Sequence, residues 1–243
     1  MSGGHGHVGI EAVAAGDTLV HRLDPRVKII GLVGLTIVAV TTPVGAWAAF
    51  ACYGLVLGAL SVVARLPGAY VLRRLMIAIP FLLAVALLPF VVPDGVRLAL
   101  TLAVKATIGV LAMVVLSSTT PFPQLLHGFE RLKAPGMLVM IVAFMWRYLY
   151  VIGEEVARMR VARQARGYQP RWIWQANALG QTIAALFIRS LERGERVYLA
   201  MVSRGYRGGT ATALMPPLVL RPVDVAFAAA LVGIVIVART VAV

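Results

Sequence analysis

Two stretches of this sequence combine a permanently charged side chain with the residue best suited to ending a helix. They are Ala165-Arg166-Gly167-Tyr168 and Ser203-Arg204-Gly205-Tyr206, and they stand 38 positions apart. Glycine just past a helix supplies the left-handed residue that closes it. An arginine in the last turn sits beside the negative end of the helix dipole, and its guanidinium is a planar fork of donors that matches a carboxylate. Two such forks on neighbouring helices form a plug for an acidic groove on another protein. A single Arg-Gly pair is adequately explained as an ordinary helix end with a helpful cation. Two matching copies in one basic segment favour docking.

The segments that carry these endings are themselves distinctive. From Arg147 to Arg207 there are 11 arginines and 4 glutamates, a net of +7. A long helix is expected to begin near Met137, after the Ala134-Pro135-Gly136 break. It is apolar as far as Ile152 except for Arg147, and then bears Glu154, Glu155, Arg158, Arg160 and Arg163. A second, from about Trp172 to Arg204, opens with Trp172 and Trp174, which suit a membrane interface. Glu192 and Arg196 on its polar side are spaced as a helical ion pair. The hydropathy of 137–152 permits a membrane crossing. Such a crossing would carry the arginine-rich remainder to the outer face, against the positive-inside rule, so both helices are expected to be cytoplasmic or interfacial.

The rest of the chain reads as membrane protein. Of its 243 residues 60% are hydrophobic and 14% charged, with 23 basic residues, 20 of them arginine, against 10 acidic. Mean hydropathy is +0.87. That composition lies outside the soluble range, and the basic excess is better explained by anchoring to a cytoplasmic face than by nucleic acid. Apolar spans are expected over about Val27–Val44, Ala46–Ala64, Leu75–Val92 and Val96–Leu116, with a shorter one over Val223–Val237. The expected fold is therefore an all-α integral membrane protein of about five transmembrane helices plus a cytoplasmic coupling module of long amphipathic helices. Its parts are a cytoplasmic tail (1–26), four spans (27–116), the module (117–210) and a C-terminal loop with a last span (211–243). Arg22, Arg26 and Lys28, directly before the first span, put the N-terminus in the cytoplasm. Nothing there has the plan of a cleaved signal peptide. Asp24 and Pro25 suit the cap and first turn of the first helix. Pro123–Lys133 reads as a short surface helix, with Phe122, Leu125, Leu126, Phe129 and Leu132 on one face and His127 on the polar side.

Few other residues offer chemistry. Lys105, inside the fourth span, is a functional candidate by its depth; the alternative is a bundle-facing lysine satisfied by the hydroxyls of Thr101 or Thr107, or snorkelling. His5 and His7 are read as chance neighbours in a tail, and Cys52 as a small buried hydrophobe. Gly54 and Gly58 have the spacing that lets two membrane helices approach. No GxxxxGK[ST], HExxH or GxSxG motif occurs, so nothing here argues for a nucleotide site or a hydrolase.

From His21 to Arg207 the chain resembles the transmembrane T component of energy-coupling-factor transporters, and more closely the cobalt-type CbiQ family. The resemblance is carried by His21-Arg22-Leu23-Asp24-Pro25-Arg26-Val27-Lys28, by Gly128-Phe129-Glu130-Arg131-Leu132-Lys133-Ala134-Pro135, and by Met145-Trp146-Arg147-Tyr148-Leu149. Arg189-Ser190-Leu191-Glu192-Arg193-Gly194-Glu195-Arg196 and the two Arg-Gly endings complete it. It implies a non-catalytic subunit of an ATP-driven importer in a prokaryotic plasma membrane, with cobalt as cargo. Ala165, Arg166, Gly167, Ser203, Arg204 and Gly205 would dock onto two CbiO-like ATPase subunits. The remaining implied partners are a CbiM-like substrate-binding membrane subunit and a small CbiN-like accessory subunit. No cofactor of its own is implied, since ATP belongs to the ATPases, and no nucleic acid. A T component serving a vitamin-type substrate subunit is the first alternative, a stand-alone secondary transporter the second.

Overall fold

A computed structural model describes residues 16, 18–90, 93–167, 176–206 and 221–241, and every regular element among them is helical. The chain forms two compact units: Met1–Leu132 together with Pro216–Val243, and Lys133–Met215.

The first unit contains α1 (Pro25–Thr41), α2 (Trp47–Val63), α3 (Gly68–Leu75), α4 (Ile79–Val85), α5 (Gly95–Thr119), α6 (Phe122–Arg131) and, from the far end of the chain, α9 (Pro222–Val241). Its start follows the sequence reading: the Asp24 carboxylate accepts from the Arg26 amide at 2.9 Å, and Pro25 occupies the first turn. The core is built from residues three, four or seven apart on four helices. Leu32, Leu35 and Ala39 of α1 meet Ala49, Tyr53 and Leu57 of α2, Ile108, Ala112 and Val115 of α5, and Leu231 and Ala238 of α9. Within a bilayer this packing is held by close van der Waals fit rather than by the hydrophobic effect, so shape matters. A Cβ at Gly31 would lie 2.8 Å from Leu231 Cδ1, and one at Gly128 would lie 3.0 Å from Ile29 Cδ1. These two glycines let α9 and α6 approach α1. Gly54 and Gly58, singled out for their spacing, face open space within the described chain.

The third span departs from expectation. It runs as a broken path from Gly68, with a 3₁₀ turn at Met76–Ala78, then α4, then a second such turn at Leu88–Phe90. The breaks fall just before Pro80 and at Pro89, where a missing amide and a ring clash prevent a continuous helix. Ahead of this span and joined directly to it is the arginine-bearing α3, in which Arg74 lies over the Tyr70 ring at 5.2 Å. Four helical paths are long and apolar enough to cross a membrane: Gly68–Val85, Gly95–Thr119, Gly136–Ala165 and Pro222–Thr240, with Trp47–Val63 a shorter apolar helix. The chain is an all-α, multi-pass membrane protein.

Two lysines tie α1 to α5, which run antiparallel. Lys28, near the start of α1, donates to the carbonyl of Thr119 at the end of α5 (2.9 Å). Lys105 of α5 donates to the carbonyl of Val40 at the end of α1 (2.7 Å) and lies 5.9 Å from the centre of the Phe50 ring. Each helix thus satisfies a carbonyl that the other leaves without an intrahelical partner. The hydroxyls expected to hold Lys105 are otherwise engaged, Thr101 with the Arg97 carbonyl and Thr107 with that of Ala103. Lys28 is no surface anchor: it is 1% exposed. Beside it Asp224, in the first turn of α9, accepts from the Asp24 amide at 2.8 Å and the Arg221 amide at 2.7 Å, joining residues 200 positions apart.

The short helix α6 turns only part of its expected apolar face to the protein, with Leu125 packed against the core. Leu126, His127 and Gly128 are buried, and α6 packs against α1. Phe129 and Leu132 point outward. Ile29 and Pro25 of α1 lie against Gly128, where a Cβ would meet them at 3.0 and 3.3 Å, so the absence of a side chain at Gly128 permits the close approach.

Candidate functional site

The second unit is built on α7 (Gly136–Ala165) and α8 (Ala176–Ser203). Pro135 precedes α7 at its cap position and breaks the chain from α6. For 30 residues thereafter no proline interrupts the helix, and Glu154, Glu155 and Arg158 support its charged half through pairs of 3.8 Å and 2.6 Å. Trp172, Trp174 and the expected start of the second helix lie outside the described residues.

Three side-chain contacts fix the register of α7 on α8. Arg163 donates to Thr182 Oγ1 at 3.3 Å, Arg189 pairs with Glu155, and the Tyr206 hydroxyl lies 3.1 Å from Met140 Sδ. As the first partner moves back along the chain the second moves forward by nearly the same amount, so the helices are antiparallel. Glu155 is shared by Arg158 and Arg189, whereas the pair expected between Glu192 and Arg196 does not form. Exposed pairs of this sort contribute only about 0–1 kcal/mol; they set alignment more than stability.

Both endings close as the sequence implies. Gly167 has φ +75° and Gly205 φ +86°. The Gly205 amide donates to the Val202 carbonyl at 2.9 Å and the Tyr206 amide to Met201 at 3.0 Å, the paired bonds of a Schellman ending. The Gly167 amide makes the equivalent bond to Gln164 at 3.0 Å, and its continuation at Tyr168 lies outside the described residues. Ala165, Arg166, Gly167, Ser203, Arg204 and Gly205 are all exposed. Among the described residues no hydrogen bond or ion pair engages the Arg166 or Arg204 side chain. Arginine offers five donors, so each ending presents a vacant fork.

Antiparallel packing separates these forks. The Tyr206–Met140 contact sets the second ending beside the first turns of α7, whereas the first closes the last turn of the same helix. At 1.5 Å rise per residue they lie roughly 35–40 Å apart along the pair. The two endings therefore do not form the single plug suggested by neighbouring helices; they stand at opposite ends of the pair.

Beside their charged residues, α7 and α8 also expose an apolar surface. Met137, Leu138, Ile141, Met145, Phe187 and Leu199 are each about half to three-quarters exposed. Between the helices Tyr148, Ile152, Leu186 and Ser190 line a groove with Glu155 and Arg189 at its edge. No group of three or more His, Cys, Asp or Glu side chains able to hold a metal occurs among the described residues. Sequence reasoning missed the Lys28–Asp24–Asp224 junction in the first unit. The available signal was Asp224 itself, a lone acid opening an apolar run in a chain with few acids.

Comparison with known proteins agrees with this architecture. The family model CbiQ, described as cobalt transport protein, matches residues 16–216. An uncharacterized protein of Methanocaldococcus jannaschii is 36% identical over 47% of this chain and 43% of its own length. The cobalt transport protein CbiQ of Rhodobacter capsulatus is 32% identical over 48% of each. The matches therefore span a little under half the length of these two relatives. A fuller match is the energy-coupling factor transporter transmembrane protein EcfT of Heliobacterium modesticaldum, 28% identical over 90% of this chain and 92% of its own. With most of its length matched by the family model, the chain belongs to the CbiQ family, a membrane component of transporters.

Proposed function

We propose that this chain is the coupling subunit of an ATP-driven importer, carrying the motion of two ATPase subunits to a separate substrate-binding membrane subunit. The observation that carries this reading is the pair of exposed, unengaged Arg-Gly endings held far apart on one antiparallel helical pair. Charge-assisted contacts from arginine to carboxylate are strong and geometrically specific. Forks roughly 35–40 Å apart suit one groove on each of two ATPases better than two contacts on one. A helix pair tied along its length by Arg163, Arg189 and Tyr206 moves as one lever. Its uncovered apolar face suits the membrane subunit that receives the motion. Family membership favours cobalt as cargo, ATP bound by the partners, and a prokaryotic plasma membrane with the N-terminus and both endings on the cytoplasmic side.

The test is charge reversal followed by mild-detergent co-purification with the ATPases. Arg166→Glu or Arg204→Glu alone leaves one contact and lowers ATPase recovery by about half at saturating partner, because the sites are separate. The double variant loses recovery by at least about a hundredfold, from the loss of charged hydrogen bonds worth about 1.5–3 kcal/mol each. Undiminished recovery with the double variant would sink the assignment. Replacing one cargo subunit by another in the same preparation separates cobalt from vitamin transport.

A further inference from the structure

We propose that the α1–α2 turn, with the groove beside it, is a binding site for an anionic phospholipid. Three cations from two other helices converge on this turn. Lys105 of α5 reaches the Val40 carbonyl, Arg239 of α9 donates to Thr41 Oγ1 at 3.2 Å, and Arg97 of α5 lies where a Cβ on Gly45 would meet its Nη2. Each uses little of its donor capacity, since lysine carries three donors and arginine five. Arg97 and Arg239 are exposed, as is Thr41. At this end of the unit Asp94 is the single acidic side chain in sequence reach, so positive charge is in excess. These cations sit at the end of α1 opposite the buried Lys28 junction, the end that the charge asymmetry of the loops leaves otherwise bare.

The groove next to the turn has the complementary half of a lipid site. Trp47, Pro89, Val96 and Leu100 form its apolar walls, and Arg97 and Asp94 line it as well, the one acid set against the three cations around the turn. Trp47 is 45% exposed and packs edge-on against Phe50 at 6.4 Å, the amphipathic ring that membrane proteins place at headgroup level. An acyl chain against Leu100 and Trp47 would bring a headgroup phosphate to Arg97, with Arg239 on the other side of the same turn. A free anion would have no use for the apolar walls, and a zwitterionic lipid would leave the excess charge unmatched.

The experiment reads Trp47 fluorescence in the full chain carrying Trp146→Phe, Trp172→Phe and Trp174→Phe, reconstituted in vesicles. Phosphatidylglycerol with brominated acyl chains is compared with brominated phosphatidylcholine as quencher. The expected result is half-quenching by phosphatidylglycerol at about tenfold lower mole fraction, as two nearby cations would give. The preference vanishes in Arg97→Gln/Arg239→Gln, or falls in Arg97→Gln alone should the double variant not fold. It persists in Arg65→Gln/Arg73→Gln, whose charges lie at the other end of the unit. Equal quenching by the two lipids overturns the proposal, as does a preference that survives Arg97→Gln/Arg239→Gln. Loss of the preference on adding inorganic phosphate at constant ionic strength overturns it too, because the site would then belong to a free anion.

Discussion

Lys28 and Arg204 are both cations near helix ends, and they stand in opposite circumstances. Lys28 is 1% exposed, donates to the Thr119 carbonyl, and feels the charge of Asp224 and Asp24. Arg204 is exposed at the end of α8, and no hydrogen bond or ion pair engages its side chain among the described residues. In the first unit, positive charge joins helices that must hold together. In the second, the cations of the two Arg-Gly endings are held outward, with no partner among the described residues. Burying an ion is costly unless it is paired and hydrogen-bonded, so a cation placed inside is committed to the fold, whereas one kept at a helix end is available to another protein.

Removing Lys28 should give the largest effect on the fold. Lys28→Ala removes the donor to the Thr119 carbonyl and the cation nearest the buried Asp224, while Asp24 keeps Arg26 at 3.9 Å; stability should fall by about 3 kcal/mol, read as a lowered midpoint of thermal unfolding in detergent. Pairing it with Asp224→Asn should recover part of the loss. The same midpoint should be unchanged in Arg166→Glu/Arg204→Glu, and a matching drop there would erase the distinction between the two kinds of cation.

A smaller effect sharpens the outward half of the comparison. Gly205→Ala forces a side chain into a left-handed backbone at a cost of about 1–2 kcal/mol, although nothing lies within 4 Å of the added Cβ. The helix end should fray or run on, and the Arg204 fork should lose its aim. ATPase recovery should drop several-fold with little change in unfolding midpoint. If recovery is unaffected, the ending matters for charge alone and its geometry is incidental.

The least effect is expected where exposed charges meet. Glu155→Gln removes the acceptor shared by Arg158 and Arg189, yet such pairs contribute only about 0–1 kcal/mol. The midpoint should move little at low salt and not at all at high salt. A shift comparable to that of Lys28→Ala would show that the α7–α8 pair depends on this ion pair for more than register.

Much of this was legible in local chemistry. Asp24-Pro25 began a helix and two glycines ended helices with positive φ, because caps and left-handed residues act within one or two turns. The surface of α6 was legible only in part, for a definite reason. Its hydrophobic pattern named Leu125 and Leu126, which pack inward, and also Phe129 and Leu132, which do not; the approach to α1 selects the smallest residue, Gly128, and periodicity reads polarity rather than size. Gly54 and Gly58 failed the other way, since glycine spacing says where helices can approach and not which neighbour is present.

By itself the sequence determined that the chain is helical, that it lies in a membrane, and that two Arg-Gly endings close two of its helices. Composition, period and capping are properties of consecutive residues, and they survive without knowledge of the neighbours. Only the tertiary structure decided that Lys28 caps α5 while Lys105 caps α1, that Asp24 meets Asp224 across 200 positions, and that the two forks point from opposite ends of one antiparallel pair. Those facts depend on which helix lies beside which and in what direction, and charge and hydropathy are silent on direction once a residue has left its own turn.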